Sequence, residues 1–337
     1  MHASEADSAG GEFVPQHLLD GTEGQMVNRQ RFARYAWGVT AWNMLTILWG
    51  ATVRATGAGA GCGSHWPLCN GVVVPRAAEI ETLVEFSHRL TSGLALLLVL
   101  GLVLWSRAFP PRGLVRRAAW ASLILVIVEA LIGAGLVLFG WVAEDTSSAR
   151  AIAVALHLVN TLLLLAALTV TAWAAGRPQS IIVRWGGRWQ LGFVAGLAAV
   201  AALGATGAIT ALGDTLFPAR SLAEGLAADV ASGSHPLIRL RVIHPVLALA
   251  AGGYVLALAG AARACGSRAA RTGGWLMALV LTQWIAGAAN VILLAPVGLQ
   301  ILHLLLADLV WIMLVVLMLE VGEAGVPARV EPLQPGT

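Results

Sequence analysis

The chain has 337 residues, 58% of them hydrophobic and 12% charged, with a mean hydropathy of +0.78. Soluble domains carry about 25% charged residues, so this composition excludes an ordinary water-soluble enzyme and turns most of the surface toward lipid. The formal net charge is +3, every basic residue is arginine, and no basic patch interleaved with aromatics points to nucleic acid.

Residues 1–34 are polar, partly acidic (Glu5, Asp7, Glu12, Asp20, Glu23) and glycine-rich. They lack the apolar core of a signal peptide and are expected to form a disordered cytoplasmic tail, in which His2 and His17 have no specific role. A bilayer-crossing helix needs about 20 apolar residues. Eight stretches qualify: 35–53, 84–105, 118–140, 150–174, 189–212, 237–261, 274–294 and 299–320. The expected fold is all-α: a polytopic membrane protein of eight transmembrane helices. Its N-terminal half is 35–174 with an outer loop at 54–83, its C-terminal half is 189–320, and 321–337 is a cytoplasmic tail.

Arginine placement sets the expected orientation. Arg29, Arg31 and Arg34 precede the first helix. Arg107, Arg112, Arg116 and Arg117 lie between helices two and three; Arg177, Arg184 and Arg188 between four and five; Arg263, Arg268 and Arg271 between six and seven; Arg329 follows the last. The alternate loops hold only Arg54, Arg76 and Arg220, with Arg89, Arg150, Arg239 and Arg241 at helix ends on that sparse side. Both termini are therefore expected in the cytoplasm of a protein of the cell membrane.

The halves resemble each other in order along the chain. Gly50-Ala51-Thr52 recurs as Gly204-Ala205-Thr206, Glu129 and Gly133-Ala134 as Gln283 and Gly287-Ala288, Leu156-His157-Leu158 as Leu302-His303-Leu304, and His88 as His244. Four helices per half make this a parallel repeat about an axis along the membrane normal, giving two four-helix bundles. Chance similarity among Ala-, Gly- and Leu-rich helices is the alternative.

His88, His157, His244 and His303 lie inside membrane helices, where an ionisable group is costly and usually functional. All four occur on even-numbered spans, four to seven residues from the outer end, or roughly 6–10 Å deep at 1.5 Å per residue. Two facing imidazoles in a four-helix bundle can take both axial positions of a haem iron. Interhelical hydrogen bonding is the bland alternative. A zinc site lacks the Cys or carboxylate ligands to complete a tetrahedron. His65 and His235 fall in outer loops and are read as surface residues.

Glu85 precedes His88 by three residues, a spacing that shares a helix face. It is either a base beside a bound porphyrin or an interfacial acid paired with Arg89. Position 241, its counterpart when the histidines are aligned, is arginine, so the acid belongs to the first half alone. Glu129 and Asp308 lie deeper; for Glu129 a hydrogen bond between helices competes with a proton path. Arg54, Arg89, Arg239 and Arg241 either meet haem propionates or hold helix ends at the interface. Cys265, on the cytoplasmic side, is an idle thiol.

The stretch Arg54-Ala-Thr-Gly-Ala-Gly-Ala-Gly-Cys62-Gly-Ser-His-Trp66-Pro67-Leu68-Cys69-Asn-Gly71 resembles the first outer loop of the heme A synthase family. Glu85-Phe86-Ser87-His88-Arg89-Leu90 and Leu156-His157-Leu158-Val159-Asn160-Thr161 are similar to its second- and fourth-helix motifs. The resemblance covers about 35–320. It implies oxidation of a ring methyl of haem O to a formyl, giving haem A for terminal oxidases. By the same resemblance His88 and His157 hold the substrate iron, Glu85 is the catalytic acid/base, and His244 and His303 hold a haem B cofactor for electron transfer. Haem O synthase and terminal oxidase assembly are the implied partners. Cys62 and Cys69 match the family's paired loop cysteines. Facing an oxidising compartment on the topology above, they are expected to form a disulfide. The second cysteine pair found in some members is missing from 213–236.

The main alternative is a two-haem membrane electron carrier of cytochrome b type; a haem transporter is a third. A carrier has no use for an acid in one half only, and a carrier spanning the membrane places its haems at two depths.

Overall fold

The computed structural model describes residues 16–76, 79–110, 113–177 and 187–324, with side chains from Asn28 to Glu323. The rest of the expected tails, with Arg112, Arg184 and Arg329, lies outside the described residues. Among the described residues ten α-helices follow one another: α1 Gln16–Ala55, α2 Ile80–Ser106, α3 Leu114–Leu138, α4 Ser148–Ala175, α5 Gly187–Leu216, α6 Leu222–Val230, α7 Pro236–Arg239, α8 Ile243–Ala262, α9 Ser267–Ile292 and α10 Val297–Ala324. Short 3-10 turns lie at Ala58–Ala60, Leu240–Val242 and Arg263–Cys265. Seven of these helical segments are long and apolar enough to cross a membrane: α2, α3, α4, α5, Pro236–Cys265, α9 and the α10 stretch Val297–Glu323.

The expected first span lies within α1, which is not among the seven. Its apolar run is diluted by polar residues whose side chains turn back on the helix. Thr40 donates to Ala36 O, Asn43 to Val39 O, Thr46 to Trp42 O and Thr52 to Leu48 O, at 2.9–3.0 Å. Each thereby satisfies itself locally. α1 also starts earlier than expected, so 16–34, read as a disordered tail, is helical. No proline interrupts the chain between Pro15 and Pro67. Phe32 is buried against Trp105 and Phe109 at the end of α2, with ring centroids 5.6 and 4.8 Å away. That anchor fixes the turns preceding the span.

Within the first half α1 packs on α2, α2 on α3, α3 on α4, and α4 on α1. The second half repeats the order with α5, α8, α9 and α10. The halves meet where α4 contacts α5 and α10, and α1 contacts α10 and α5. α10 serves both cores: Trp311, Val315 and Leu319 join the first-half cluster with Val99, Leu102 and Leu165, while Val310, Leu314 and Leu317 join the second with Phe193 and Leu276. Trp311 Nε1 donates to Leu162 O at 2.6 Å, a bond across the join. Outward faces are apolar and exposed, as with Leu90, Leu94, Leu97 and Leu104 on α2, as expected of a surface solvated by lipid.

One expected span is broken. Pro245 lacks the N–H that would bond to the Arg241 carbonyl, and a 3-10 turn at Leu240–Val242 stands directly before α8. Arg241 points from that turn to Asp214 on α5 at 3.0 Å and to Asp229 on α6 at 3.5 Å. Burial raises the Asp229 carboxyl from its ordinary value, and Arg241 pulls it back. The helix α6, absent from the sequence reading, begins at Ser221, whose hydroxyl accepts from Glu224 N.

Candidate functional site

The four intramembrane histidines come from α2, α4, α8 and α10, following the first residues of their helical segments (Ile80, Ser148, Pro236, Val297) by six to nine residues. α2 and α4 occupy opposite places in the first ring of packed helices, α8 and α10 in the second. The structure thus places one histidine of each suggested pair on each of two opposite helices of the same ring.

Each imidazole lies over a glycine of a neighbouring odd-numbered span. A methyl group at Gly50 of α1 would stand 2.8 Å from His88 Cε1, and one at Gly207 of α5 the same distance from His244 Cε1. At Gly287 of α9 the approach to His303 Cε1 is 3.1 Å, and at Gly133 of α3 the approach to His157 Cε1 is 3.9 Å. Sequence comparison of the halves found Gly133 and Gly287 but aligned Gly50 with Gly204. Gly204 instead faces Leu158 and Leu162. The counterpart of Gly50 is Gly207, one turn further along, as the histidine contacts decide. The signal in the sequence is the second glycine of Gly204-Ala-Thr-Gly207.

The Nδ1 atoms of His88, His157 and His303 are buried and make no hydrogen bond among the described residues, that of His157 lying 3.5 Å from Glu129 Oε1. His244 Nδ1 meets Thr206 Oγ1 at 3.2 Å. A buried imidazole with nitrogens to spare is an unfinished site. Among the described residues no group of three or more His, Cys, Asp or Glu side chains converges as a metal cage. Two imidazoles per half suit a group that brings its own equatorial ligands, as a porphyrin does.

Glu85 is buried and fully engaged. Its Oε2 accepts from the Cys62 backbone N–H at 2.8 Å, and Oε1 accepts from Arg89 Nη2 at 2.5 Å and Nε at 3.2 Å. Arg89 Nη1 also donates to the carbonyls of His65 and Leu68. The paired-acid alternative for Glu85 therefore describes its geometry, and Arg89 meets loop carbonyls. The loop lies hard on α2: a Cβ at Gly61 would fall 2.4 Å from the Glu81 carbonyl carbon and oxygen, so only glycine allows this approach. Thr82 Oγ1 donates to Gly61 O at 2.6 Å. Cys62 and Cys69 form a buried disulfide with 4.4 Å between Cα atoms. Cys265 is a free thiol. A cavity of about 530 Å³ opens beside this loop, bordered by Gly61, Asn70, Arg76, Glu79 and Thr82.

Arg54 spans the halves, donating to Ala211 O and Thr215 Oγ1 on α5 at 2.7 Å and to Gln300 Oε1 on α10 at 2.9 Å. With Arg89 and Arg241 also paired, three of the four arginines considered for propionates have protein partners. His235 caps α7, its Nδ1 accepting from Leu237 N at 3.3 Å. Glu129 joins α3 to α4: Oε2 accepts from Asn160 Nδ2 at 2.5 Å and Oε1 from Thr161 Oγ1, the interhelical bond anticipated as one alternative. Asp308 is wholly buried in α10.

Residues 33–315 match the model of the family described as cytochrome oxidase assembly protein. A Thermus thermophilus protein named protoheme IX farnesyltransferase is 50% identical over 299 residues, covering 88% of this chain and 49% of that protein. Heme A synthases of an Exiguobacterium species and of Alkalihalophilus pseudofirmus are 33% and 38% identical over 156 and 143 residues, covering 46% and 41% of this chain and 50% and 45% of their own. The chain spans about half the length of these relatives.

Proposed function

This chain belongs to the cytochrome oxidase assembly protein family, and on that premise we propose that it carries out the heme A synthase reaction, oxidising a ring methyl of haem O to a formyl. The observation that supports this most is the unequal pair of histidine sites. Both halves present two imidazoles over glycines, and only the first places a buried carboxylate, Glu85, one turn from its histidine. A plain electron carrier needs no such asymmetry.

His88 and His157 would hold the iron of the substrate, and His244 and His303 would hold a haem B. Haem B supplies one-electron chemistry when bound. Glu85, whose Oε2 accepts from the Cys62 N–H and Oε1 from Arg89, would serve as proton acceptor for a substrate held by His88. The Cys62–Cys69 loop packs over Glu85 and the first turns of α2 and would limit water there. The Thr40, Asn43, Thr46 and Thr52 side chains are satisfied within α1, which supports α1 as an eighth span. The matching packing order of the two sets of four helices supports two bundles related by a parallel repeat. Arginine density supports cytoplasmic termini in the cell membrane, with halves at 35–174 and 189–320 flanked by the tails 1–34 and 321–337. The relative named protoheme IX farnesyltransferase, twice the length of the matched region, supports supply of substrate by an enzyme that farnesylates protohaem. The family's description supports delivery of product to terminal oxidase assembly.

The test is pigment analysis. Expressed beside a haem O source, the chain should yield a formyl porphyrin on extraction and mass analysis. Recovery of haem B alone, with haem O untouched, would favour an electron carrier.

A further inference from the structure

Glu129 does more than join two helices. Its Oε1 lies 3.5 Å from His157 Nδ1. Two α4 groups, one turn from His157 and both buried, hold the carboxylate in place: Asn160 Nδ2, which also donates to Leu125 O at 3.0 Å, and Thr161 Oγ1. In the second half the same place on α9 holds Gln283, whose Nε2 lies 3.3 Å from His303 Nε2, while His303 Nδ1 has no hydrogen-bond partner among the described residues. Each residue stands four positions before the glycine under its histidine, Gly133 or Gly287. The two constellations match in helix position and supporting glycine, and differ in the imidazole nitrogen that faces the α3 or α9 side chain. They also differ in that the first carries a carboxylate where the second carries a neutral amide. The same contrast recurs a second time, with Glu85 in the first half and Arg241 at the matching position.

We propose that Glu129 is a charge-bearing positioning residue for His157. It accepts the Nδ1 proton, turns Nε2 toward the iron, and makes His157 a stronger donor than His303. A carboxylate behind a ligating imidazole fixes its tautomer and raises its basicity, and stronger axial donation favours the oxidised iron. The first site is thereby held at a lower potential than the second, the order needed for a substrate that gives up electrons. This rests on the proposed reading of His157 and His303 as haem ligands.

The experiment is a spectroelectrochemical titration of the purified full chain loaded with haem O, for wild type, Glu129→Gln, Glu129→Asp and Gln283→Glu. The two midpoints are assigned with His88→Ala and His244→Ala backgrounds. Glu129→Gln should shift only the first-half midpoint upward and alter only its low-spin signal. Glu129→Asp should restore most of the shift. Gln283→Glu should move the second-half midpoint downward. A purely structural bridge would not reverse sign when the charge is moved to the other half. Should Glu129→Gln fail to fold, Gln283→Glu still decides, because an unmoved second midpoint overturns the proposal. Two bound haems with unmoved potentials would overturn this proposal alone. Wild-type protein that binds no haem through His88 and His157 would overturn the underlying ligand reading as well.

Discussion

At His244 the imidazole rests so close to Gly207 that a single added carbon would sit 2.8 Å from the ring. The four glycine supports are graded, and the grading predicts their tolerance. Gly50→Ala and Gly207→Ala should each force the ring aside and lower haem occupancy in their own half, leaving the other half's low-spin spectrum unchanged. Gly133→Ala, with 3.9 Å of clearance, should retain haem and gain helix stability of roughly 0.5–1 kcal/mol. Haem-to-protein ratios of the purified variants check both statements; equal losses at Gly50 and Gly133 would count against the support role. Glu85→Gln keeps size and most hydrogen bonding but removes the proton acceptor. It should fold, keep the second-half haem, and lose about 10²-fold or more in haem A formation if general-base catalysis is its task. The histidines and Glu85 were legible because polar residues stand out in an apolar helix. Gly207 and Gly61 were not, since nothing in a glycine-rich sequence says which glycine another segment presses against.

The element that shapes the first site is the loop between α1 and α2. It is fixed by the Cys62–Cys69 disulfide, by Gly61 against the first turn of α2, and by the Glu85–Arg89 pair that reaches up to its carbonyls. Thiol labelling of intact membranes without reductant should therefore modify Cys265 only, while reduced and unfolded protein should label at three positions. A disulfide closing so short a loop stabilises by about 2–3 kcal/mol in the chain-entropy model. Cys62→Ser with Cys69→Ser should accordingly lower the thermal midpoint, read in detergent by tryptophan fluorescence, and loosen Glu85 at the same time. Helix positions were readable from hydropathy, and the start of α8 was not. Pro245 carried that signal, but the apolar run around it concealed the 3-10 turn. The extra turns of α1 were hidden because Phe32 is held by a tertiary aromatic contact rather than by local propensity.

On the scale of the molecule, α10 is shared by both cores, and arginines tie the halves at each end. Arg54 reaches α5 and α10 at the end carrying the cysteine loop. At the other end Arg177, just past α4, lies 3.7 Å from Glu320 and from Glu323 of α10. A hydrogen bond to a charged group contributes about 1.5–3 kcal/mol, so Arg54→Ala, losing three, should lower stability by several kcal/mol; an unchanged thermal midpoint would show that the tie contributes little. The repeat could be read from matched residues, but the join between halves could not, because Arg54, Ala211 and Gln300 have no periodic signature. The central claim is that two unequal haem sites occupy one chain, the first for substrate and the second for a resident cofactor. Its most direct measurement is the amount and identity of haem recovered from purified wild type, His88→Ala and His303→Ala produced beside a haem O source. The account predicts haem B with formyl product in wild type, haem B without product in His88→Ala, and loss of haem B in His303→Ala. Equal loss of the same pigment from both variants would contradict it.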